Sequence, residues 1–226
     1  MTESHIAEKV RSRETETAIL EAARNLLAEG GLDALSMRAV AAQVGLSATA
    51  IYHWFEGKED LVDRVVQHGF QRSEAYMWKA IEELPAGSMD RVAALGEAYI
   101  RFALENREYF KIIFALQTPA PRNIDDVPGQ GGYRVLRQCV IEAMDAGNIR
   151  RTDPDMVVLF LWSVVHGLVT IFMACDPKEM LAEAGCCDDM DQMDEKELTI
   201  ALFARFRDLV RVGLEPGKGP GGGHDA

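Results

Sequence analysis

The segment from Val157 to Cys175 carries no formally charged side chain and is the strongest constraint on how this chain can fold. A helix of this length without charge either crosses a membrane or is covered by protein on every side. Ser163, His166 and Thr170 lie within it, and no basic cluster follows it. Membrane spans are usually bordered by aromatic belts and basic cytoplasmic loops. We therefore expect a buried helix and no membrane partner.

Composition limits the function classes further. The chain has 226 residues, of which 48% are apolar, so it can bury a substantial core. Its formal net charge of -12 argues against a protein that coats nucleic acid, so any DNA contact must be local. The four cysteines are sparse and no signal peptide precedes them, which predicts reduced thiols in the cytoplasm.

Helical periodicity extends along most of the chain, and no segment has the alternation of a β-strand. The predicted helices cover residues 13–28, 36–45, 48–54, 58–84, 89–105, 107–116, 133–146, 155–174 and 197–212. Residues 118–132 are rich in proline and glycine and predict a loop, and residues 176–195 form an acidic interruption. The glycine-rich tail, residues 215–226, is expected to be disordered. The fold class is therefore all-α, with about nine helices.

Two short predicted helices meet at Gly45-Leu46-Ser47, which has the length and punctuation of a helix-turn-helix. Ser36 and Ser47 can each cap the helix that follows, and Gly45 can adopt the left-handed conformation that a tight turn requires. Such a unit places its second helix in a DNA major groove.

The run from Thr17 to Leu61, TAILEAARNLLAEGGLDALSMRAVAAQVGLSATAIYHWFEGKEDL, resembles the DNA-binding domain of the TetR/AcrR family of regulators over nearly its whole length. The resemblance implies an all-helical protein with a three-helix DNA-binding domain at residues 1–58, its helix-turn-helix at about 36–55. It also implies a C-terminal ligand-binding and dimerisation bundle at residues 59–214.

By this resemblance, several polar and small residues would contact DNA phosphates or bases. The expected contacts are Ser36, Arg38, Ser47, Ala48, Thr49, Tyr52, His53 and Lys58. Their chemistry is suitable, since hydroxyls and helix N-termini hold phosphates and arginine can read guanine. Trp54 and Phe55 are interpreted as core aromatics instead.

The charge of the N-terminal part opposes strong DNA binding. Residues 1–60 hold six basic side chains against ten acidic ones, which predicts modest, salt-sensitive affinity. We hypothesise that the acidic residues around the first helix face away from DNA, leaving a basic N-terminal arm of Lys9, Arg11 and Arg13 free to reach it.

The C-terminal half has a weaker resemblance. Trp162, His166 and Gly167 resemble the signature of a TetR C-terminal subfamily called WHG. The family resemblance implies a homodimer whose interface is a four-helix bundle built from residues 155–174 and 197–212 of each chain. A twofold dimer would place two weak reading heads on the two halves of a palindromic operator.

A small-molecule effector site is expected in the C-terminal bundle. Its candidate lining residues are mostly apolar with a few polar atoms, which suits an apolar or aromatic ligand. For each residue, ordinary core packing is at least as good an explanation, and His166 in particular fits a hydrogen-bonded core histidine. The candidates are Trp78, Tyr99, Phe102, Phe110, Phe114, Leu136, Cys139, Trp162 and His166.

Metal and enzyme functions find little support. Adjacent Cys186 and Cys187 precede an acidic run, but neighbouring cysteines rarely chelate one ion, so a solvated loop is favoured over a metal or redox site. The chain has no nucleophile elbow, zinc-protease motif or phosphate loop, so no catalysis and no cofactor are expected.

Together these features predict a ligand-responsive DNA-binding repressor that binds its operator as a dimer and is released by a small hydrophobic molecule. The alternative is a helical adaptor that binds only protein.

Overall fold

The computed structural model describes residues 3–115, 130–175, 178–179 and 192–214. All regular secondary structure in these residues is helical, which confirms the predicted fold class. The helices are α1 (Glu3–Ala34), α2 (Met37–Val44), α3 (Ala48–Ile51), α4 (Lys58–Ile81), α5 (Met89–Glu105), α6 (Arg107–Ala115), α7 (Gln130–Asp145), α8 (Pro154–Ala174) and α9 (Glu195–Leu214).

The helical content divides into two compact units. Unit 1 comprises Met1–Arg72 with Asn106–Gln130, and unit 2 comprises Ser73–Glu105 with Gly131–Ala226. The boundary between the units therefore falls inside α4, and α6 belongs to unit 1. Each unit has its own fully buried apolar side chains, among them Ile19, Val40, Ile51, Phe55 and Leu61 in unit 1, and Leu95, Ile100, Phe102, Val158 and Leu198 in unit 2.

The predicted start of the first helix was wrong. Helix α1 begins ten residues earlier than predicted, at Glu3, because no glycine or proline interrupts residues 3–12. Lys9, Arg11 and Arg13 therefore lie on α1. Helical geometry breaks at Gly31, with φ 63°, where the stop was predicted, and one further turn continues to Ala34.

The third predicted helix is also shorter than expected. It ends at Ile51 rather than Trp54, because the chain tightens into successive turns with hydrogen bonds from His53 N–H to Ala50 C=O (3.2 Å) and Trp54 N–H to Ile51 C=O (2.9 Å). Likewise α4 ends at Ile81 and not at residue 84, since the bond from Leu84 N–H to Ile81 C=O closes a turn just before Pro85.

The helices of unit 2 follow the sequence closely. Helix α5 has the predicted bounds, and Asp153 caps α8 by accepting a hydrogen bond from Asp155 N–H at 2.9 Å. Helix α9 starts two residues earlier than predicted because Asp194 and Glu197 form a reciprocal capping box, with bonds of 2.7 and 3.0 Å. The loop predicted at residues 118–132 lies largely outside the described residues, and α7 already begins at Gln130.

Candidate DNA interface and ligand cavity

The turn between α2 and α3 has the predicted capping geometry. Ser36 Oγ accepts a hydrogen bond from Ala39 N–H and Ser47 Oγ accepts one from Ala50 N–H, both at 3.1 Å. Gly45 adopts φ 69°, and Leu46 N–H donates to Ala41 C=O at 2.9 Å. These bonds satisfy the otherwise unpaired groups at the helix ends, so the two short helices are held in one relative orientation.

The expected DNA-contacting side chains are presented to solvent. Ser36, Arg38, Ser47, Thr49, Tyr52, His53 and Lys58 are exposed, and Ala48 is half-buried. Tyr52 is 56% exposed, whereas Phe55 is 1% exposed. The core interpretation of Phe55 is therefore confirmed, Trp54 is half-buried, and Tyr52 is a large aromatic side chain without core packing.

The start of α4 carries both a lysine and carboxylates, whereas a phosphate would be attracted only by the lysine and the free N–H groups. Lys58 Nζ donates a hydrogen bond to the Leu32 carbonyl, which fixes its ammonium beside the end of α1. Asp60 accepts a hydrogen bond from Glu56 N–H at 2.9 Å. A carboxylate therefore already occupies part of the helix terminus, and a phosphate would rely on Lys58 for its attraction.

Two acidic residues of α1 form ion pairs with arginines of α1 and α4. Glu21 lies 3.0 Å from Arg24 and 3.6 Å from Arg72, and Glu16 lies 3.9 Å from Arg64. These ion pairs lower the repulsion that the carboxylates would exert on a phosphate backbone. They are consistent with the hypothesis that the acidic side chains of α1 face away from DNA.

Tyr109 of α6 is fully buried in a polar cluster of unit 1. Its hydroxyl lies 2.8 Å from His68 Nδ1 and donates to Glu21 Oε1 at 3.1 Å, which joins α6 to α4 and α1. The guanidinium groups of Arg24 and Arg72 lie 5.3 and 5.5 Å from its ring centroid. Burial, and then the nearby Glu21, raise the pKa of Tyr109, so the phenol stays protonated at neutral pH.

Unit 2 contains a cavity of about 220 Å³ bordered mainly by α5, α8 and α9. Its wall is mostly apolar and includes Val92, Leu95, Tyr99, Trp162, Val165 and Phe203. Most of these side chains are less than a tenth exposed. The cavity thus has the apolar character of a small-molecule site.

The polar end of this cavity is a network of three side chains. The Tyr99 hydroxyl lies 2.8 Å from His166 Nδ1, and Trp162 Nε1 donates to the same hydroxyl at 3.5 Å. Burial lowers the pKa of His166 and raises the pKa of Tyr99, so both groups are neutral at physiological pH.

Three of the nine predicted ligand-binding residues, Tyr99, Leu136 and Trp162, line the cavity, and His166 reaches it through Tyr99. Phe110 and Phe114 pack together at 4.8 Å in unit 1 and do not line it. Trp78, Phe102 and Cys139 also lie outside its wall. Phe102 and Cys139 are buried, whereas Trp78 is 51% exposed.

Sequence reasoning missed Gly96 and Phe203, which face each other in this wall. A Cβ added at Gly96 would lie 2.4 Å from Phe203 Cζ, so the glycine makes room for the ring. A glycine in the middle of the well-formed helix α5 is a signal that could have found this close approach, because glycine weakens helices.

Helices α8 and α9 expose large apolar side chains to solvent. Met156, Leu159, Phe160 and Ile171 of α8 are each about half exposed or more, and Leu209 of α9 is 72% exposed. Among the residues that the structure describes, α8 is the helix long and apolar enough to span a membrane, and about a third of it is buried. Within the single chain, α8 is therefore not covered on every side.

No group of three potential metal ligands occurs in the described part of the chain. Cys186 and Cys187 lie outside the described residues. Cys139 is buried, and burial raises the pKa of its thiol, which makes it a poor nucleophile.

Two family models match this chain. Residues 19–65 match the model described as bacterial regulatory proteins, tetR family, and residues 92–182 match the model described as tetracyclin repressor-like, C-terminal domain. Together they span more than half of the chain. The first includes the α2–α3 unit, and the second includes Tyr99 and Trp162 of the cavity.

Similar proteins agree with these matches. The HTH-type transcriptional regulator UidR of Escherichia coli K12 is 31% identical over 74 residues, which is 33% of this chain and 38% of UidR, so the chain spans less than half of that curated relative. A protein of unknown function from Rhodococcus sp. RHA1 is 27% identical with a TM-score of 0.67, covering 89% of this chain and 96% of its own. FadR from Bacillus subtilis, solved in complex with stearoyl-CoA, shares the fold at 17% identity and a TM-score of 0.66, covering 88% and 99%.

Proposed function

We propose, from the fact that this chain belongs to the TetR family of bacterial regulatory proteins, that it is a dimeric transcriptional repressor whose operator binding is relieved by a small molecule. The observation that carries the proposal is the rigid α2–α3 unit with its row of exposed polar side chains. Residues 1–58 form the DNA-binding domain in this proposal, and residues 59–214 bind ligand and partner. The compact units divide the chain elsewhere, since unit 1 extends to Arg72 and includes α6.

The exposed face of α2 and α3 has the chemistry of a DNA-reading surface. Arg38 is exposed and, within the described residues, pairs with no carboxylate, so its guanidinium is available for a guanine edge. The remaining proposed contacts supply hydroxyl, methyl, imidazole and ammonium groups for thymine methyls and phosphates: Ser36, Ser47, Ala48, Thr49, Tyr52, His53 and Lys58.

Dimerisation is supported by the apolar faces of α8 and α9. Soluble proteins rarely leave a contiguous patch of large apolar side chains uncovered. Pairing residues 155–174 and 197–212 of two chains would cover Leu159, Phe160 and Leu209. A closed twofold pair presents two identical α3 helices to the two halves of a palindromic site, and linkage of two weak heads can raise affinity by about 10²–10⁴.

The cavity in unit 2 is the proposed effector site. FadR of Bacillus subtilis binds stearoyl-CoA on the same fold, which supports a ligand site in this helical framework. Met77 of α4 lines the cavity, and α4 begins at Lys58 beside the proposed DNA face. A ligand that displaces Met77 would shift α4 and change the spacing of the two reading heads, which releases DNA. A repressor of this kind acts in the cytoplasm, where the chromosome lies.

The test is selection of bound duplexes from a random DNA library by the purified full-length chain. We expect a palindromic consensus, and in Arg38→Ala a weaker enrichment with relaxed preference at one position of each half-site. Tyr52→Phe should weaken binding by a few-fold, because it removes one hydroxyl from a contact surface that otherwise remains. Arg151→Ala is the matched control, since this arginine is 80% exposed at its side chain and lies in unit 2.

Failure of the proposal has a defined signature. No enrichment at low salt from a folded protein would contradict DNA reading, because phosphate contacts are strongest there. That result would favour the adaptor function, in which the exposed apolar helices bind another protein.

A further inference from the structure

The cavity of unit 2 has a size that selects among ligand classes. Its volume is about 220 Å³. An engineered cavity of about 150 Å³ accepts benzene, whereas sites for drug-sized ligands usually measure about 300–1,000 Å³. A single substituted ring fits this cavity, and a long acyl chain joined to a nucleotide exceeds it.

The distribution of charge around the cavity disfavours ions as ligands. Among its lining residues, the charged ones are Asp90, Arg207 and Asp208, and all three are exposed. Arg207 Nε lies 3.8 Å from Asp208 Oδ1, which partly neutralises the cation. Among the described residues, the buried part of the wall consists of apolar and aromatic side chains, which offer a charged ligand no counter-ion in exchange for its lost hydration.

Among the buried lining residues that the structure describes, Tyr99 carries a polar side-chain group. Tyr99 lines the cavity, and its hydroxyl lies between His166 Nδ1 at 2.8 Å and Trp162 Nε1 at 3.5 Å. The Tyr99 oxygen can accept a further hydrogen bond, and the long 3.5 Å contact leaves Trp162 Nε1 able to donate to a closer oxygen. A ligand hydroxyl beside Tyr99 would therefore find both a donor and an acceptor.

We propose that the effector is a compact, uncharged, mainly apolar molecule of one ring, whose single hydroxyl hydrogen-bonds at Tyr99 and Trp162. This inference deepens the proposed function, on which it rests for the role of the ligand. It assigns specificity to Tyr99 through hydrogen bonding and to the Gly96–Phe203 contact through size.

The size limit is set partly by Gly96. Adding a methyl group there would bring it to 2.4 Å from Phe203 Cζ, so the ring must move. Because both residues line the cavity, Gly96→Ala changes the shape of the space that a ligand would fill.

The experiment compares two probes that differ by one hydroxyl. Binding of 4-propylphenol and propylbenzene to the full-length chain is measured by calorimetry for the wild type, Tyr99→Phe and Tyr76→Phe. Tyr76→Phe is the matched control, because its hydroxyl donates to Glu105 and lies outside this cavity. Stearoyl-CoA serves as the large, charged probe.

We expect 4-propylphenol to bind the wild type about tenfold more tightly than propylbenzene, which corresponds to the combined net contribution of two weak neutral hydrogen bonds. Tyr99→Phe should weaken 4-propylphenol binding about threefold, because the oxygen at Tyr99 is lost while Trp162 Nε1 remains as a donor, and it should leave propylbenzene unchanged. Tyr76→Phe should change neither. Gly96→Ala should weaken both probes while the far-ultraviolet circular dichroism stays helical.

Three results would overturn the inference. These are equal affinity for the two probes, tighter binding of stearoyl-CoA than of 4-propylphenol, or no saturable binding of either ring compound to folded protein. DNA binding by the same preparations is measured without ligand. A chain that selects a palindrome but binds no phenol keeps the proposed DNA function and loses only this ligand class.

Discussion

The α2–α3 face and the α8 face are both exposed, yet their chemistry is opposite. The first presents hydroxyl, guanidinium and imidazole groups around one large aromatic side chain, Tyr52. The second presents Met156, Leu159, Phe160 and Ile171, with Ser163 as a polar member that donates its hydroxyl to the Leu159 carbonyl at 2.7 Å. Exposure alone therefore does not identify a partner, but the chemistry of the exposed groups does.

This contrast suggests a division of labour between the two faces. Polar groups that leave water at a DNA surface exchange hydrogen bonds to water for hydrogen bonds to phosphates. An apolar face is instead stabilised when it is removed from water, by roughly 25 cal/mol per Å² of buried surface. If the apolar face joins two chains, the polar faces act as a pair. Damage to the α8 face should then abolish DNA binding without touching any DNA contact.

The largest expected effect comes from breaking the apolar face. Leu159→Lys places a charge on a side chain that is 51% exposed in the single chain, so the monomer should still fold. We expect monomers by light scattering and a loss of operator affinity of about a hundredfold or more, because the two heads are no longer linked.

The control for Leu159→Lys is Trp78→Lys, which alters an equally exposed apolar residue on α4. It should remain dimeric with unchanged DNA affinity. A dimeric Leu159→Lys variant, or a monomeric one with wild-type DNA affinity, would contradict the proposal that DNA binding by the α2–α3 face requires dimerisation through the α8 face.

A smaller effect is expected from the polar face. Arg38→Ala should cost about 1–3 kcal/mol of operator binding if the guanidinium reads a base, and should relax sequence preference at one position in each half-site. Fluorescence anisotropy on a set of single-base operator variants measures this. A uniform loss across all variants would instead indicate a phosphate contact.

The capping of α2 should have a modest effect on both stability and DNA binding. Ser36→Ala removes the oxygen that accepts from Ala39 N–H, which should lower the free energy of unfolding by about 1 kcal/mol. Ser36→Asp retains a capping oxygen and is the matched variant for chemical denaturation. Equal stability of the alanine and aspartate variants would show that the cap contributes nothing.

The smallest expected effect concerns pH and the buried side of α8. Burial lowers the pKa of His166, so the unfolded chain takes up a proton near pH 6.5 before the folded chain does. The contribution of neutral His166 to stability is thus present above about pH 6.5 and declines as the pH falls towards the folded pKa. The stability difference between wild type and His166→Gln should shrink in denaturant titrations from pH 7.5 to 5.5, and a constant difference would refute the assignment.

Local features were largely predictable from the sequence. Ser36, Gly45 and Ser47 act within a few residues, so their capping and turn roles follow from short-range chemistry. The bounds of Met89–Glu105 follow similarly from the breaks on either side. Trp162 and His166 match the WHG pattern, but the subfamily stays a prediction, since the matching C-terminal model is described only as tetracyclin repressor-like.

The cavity was much less predictable, because it depends on which faces of distant helices meet. Aromatic residues such as Phe110 and Trp78 suited a pocket by type, but one packs in unit 1 and the other lies on the surface. Gly96 and Phe203 are separated by over a hundred residues, and their close approach appears only in the folded unit. The lack of charge predicted that protein covers α8, but it could not show which of its side chains the same chain leaves exposed.

The most direct test of the account is native mass spectrometry of the protein bound to its selected palindromic duplex. We predict two chains per duplex for the wild type, with loss of the complex for Leu159→Lys and for a duplex that carries only one half-site. One chain per duplex at full affinity, unaffected by Leu159→Lys, would contradict the claim that the apolar face makes the polar face a DNA-binding pair.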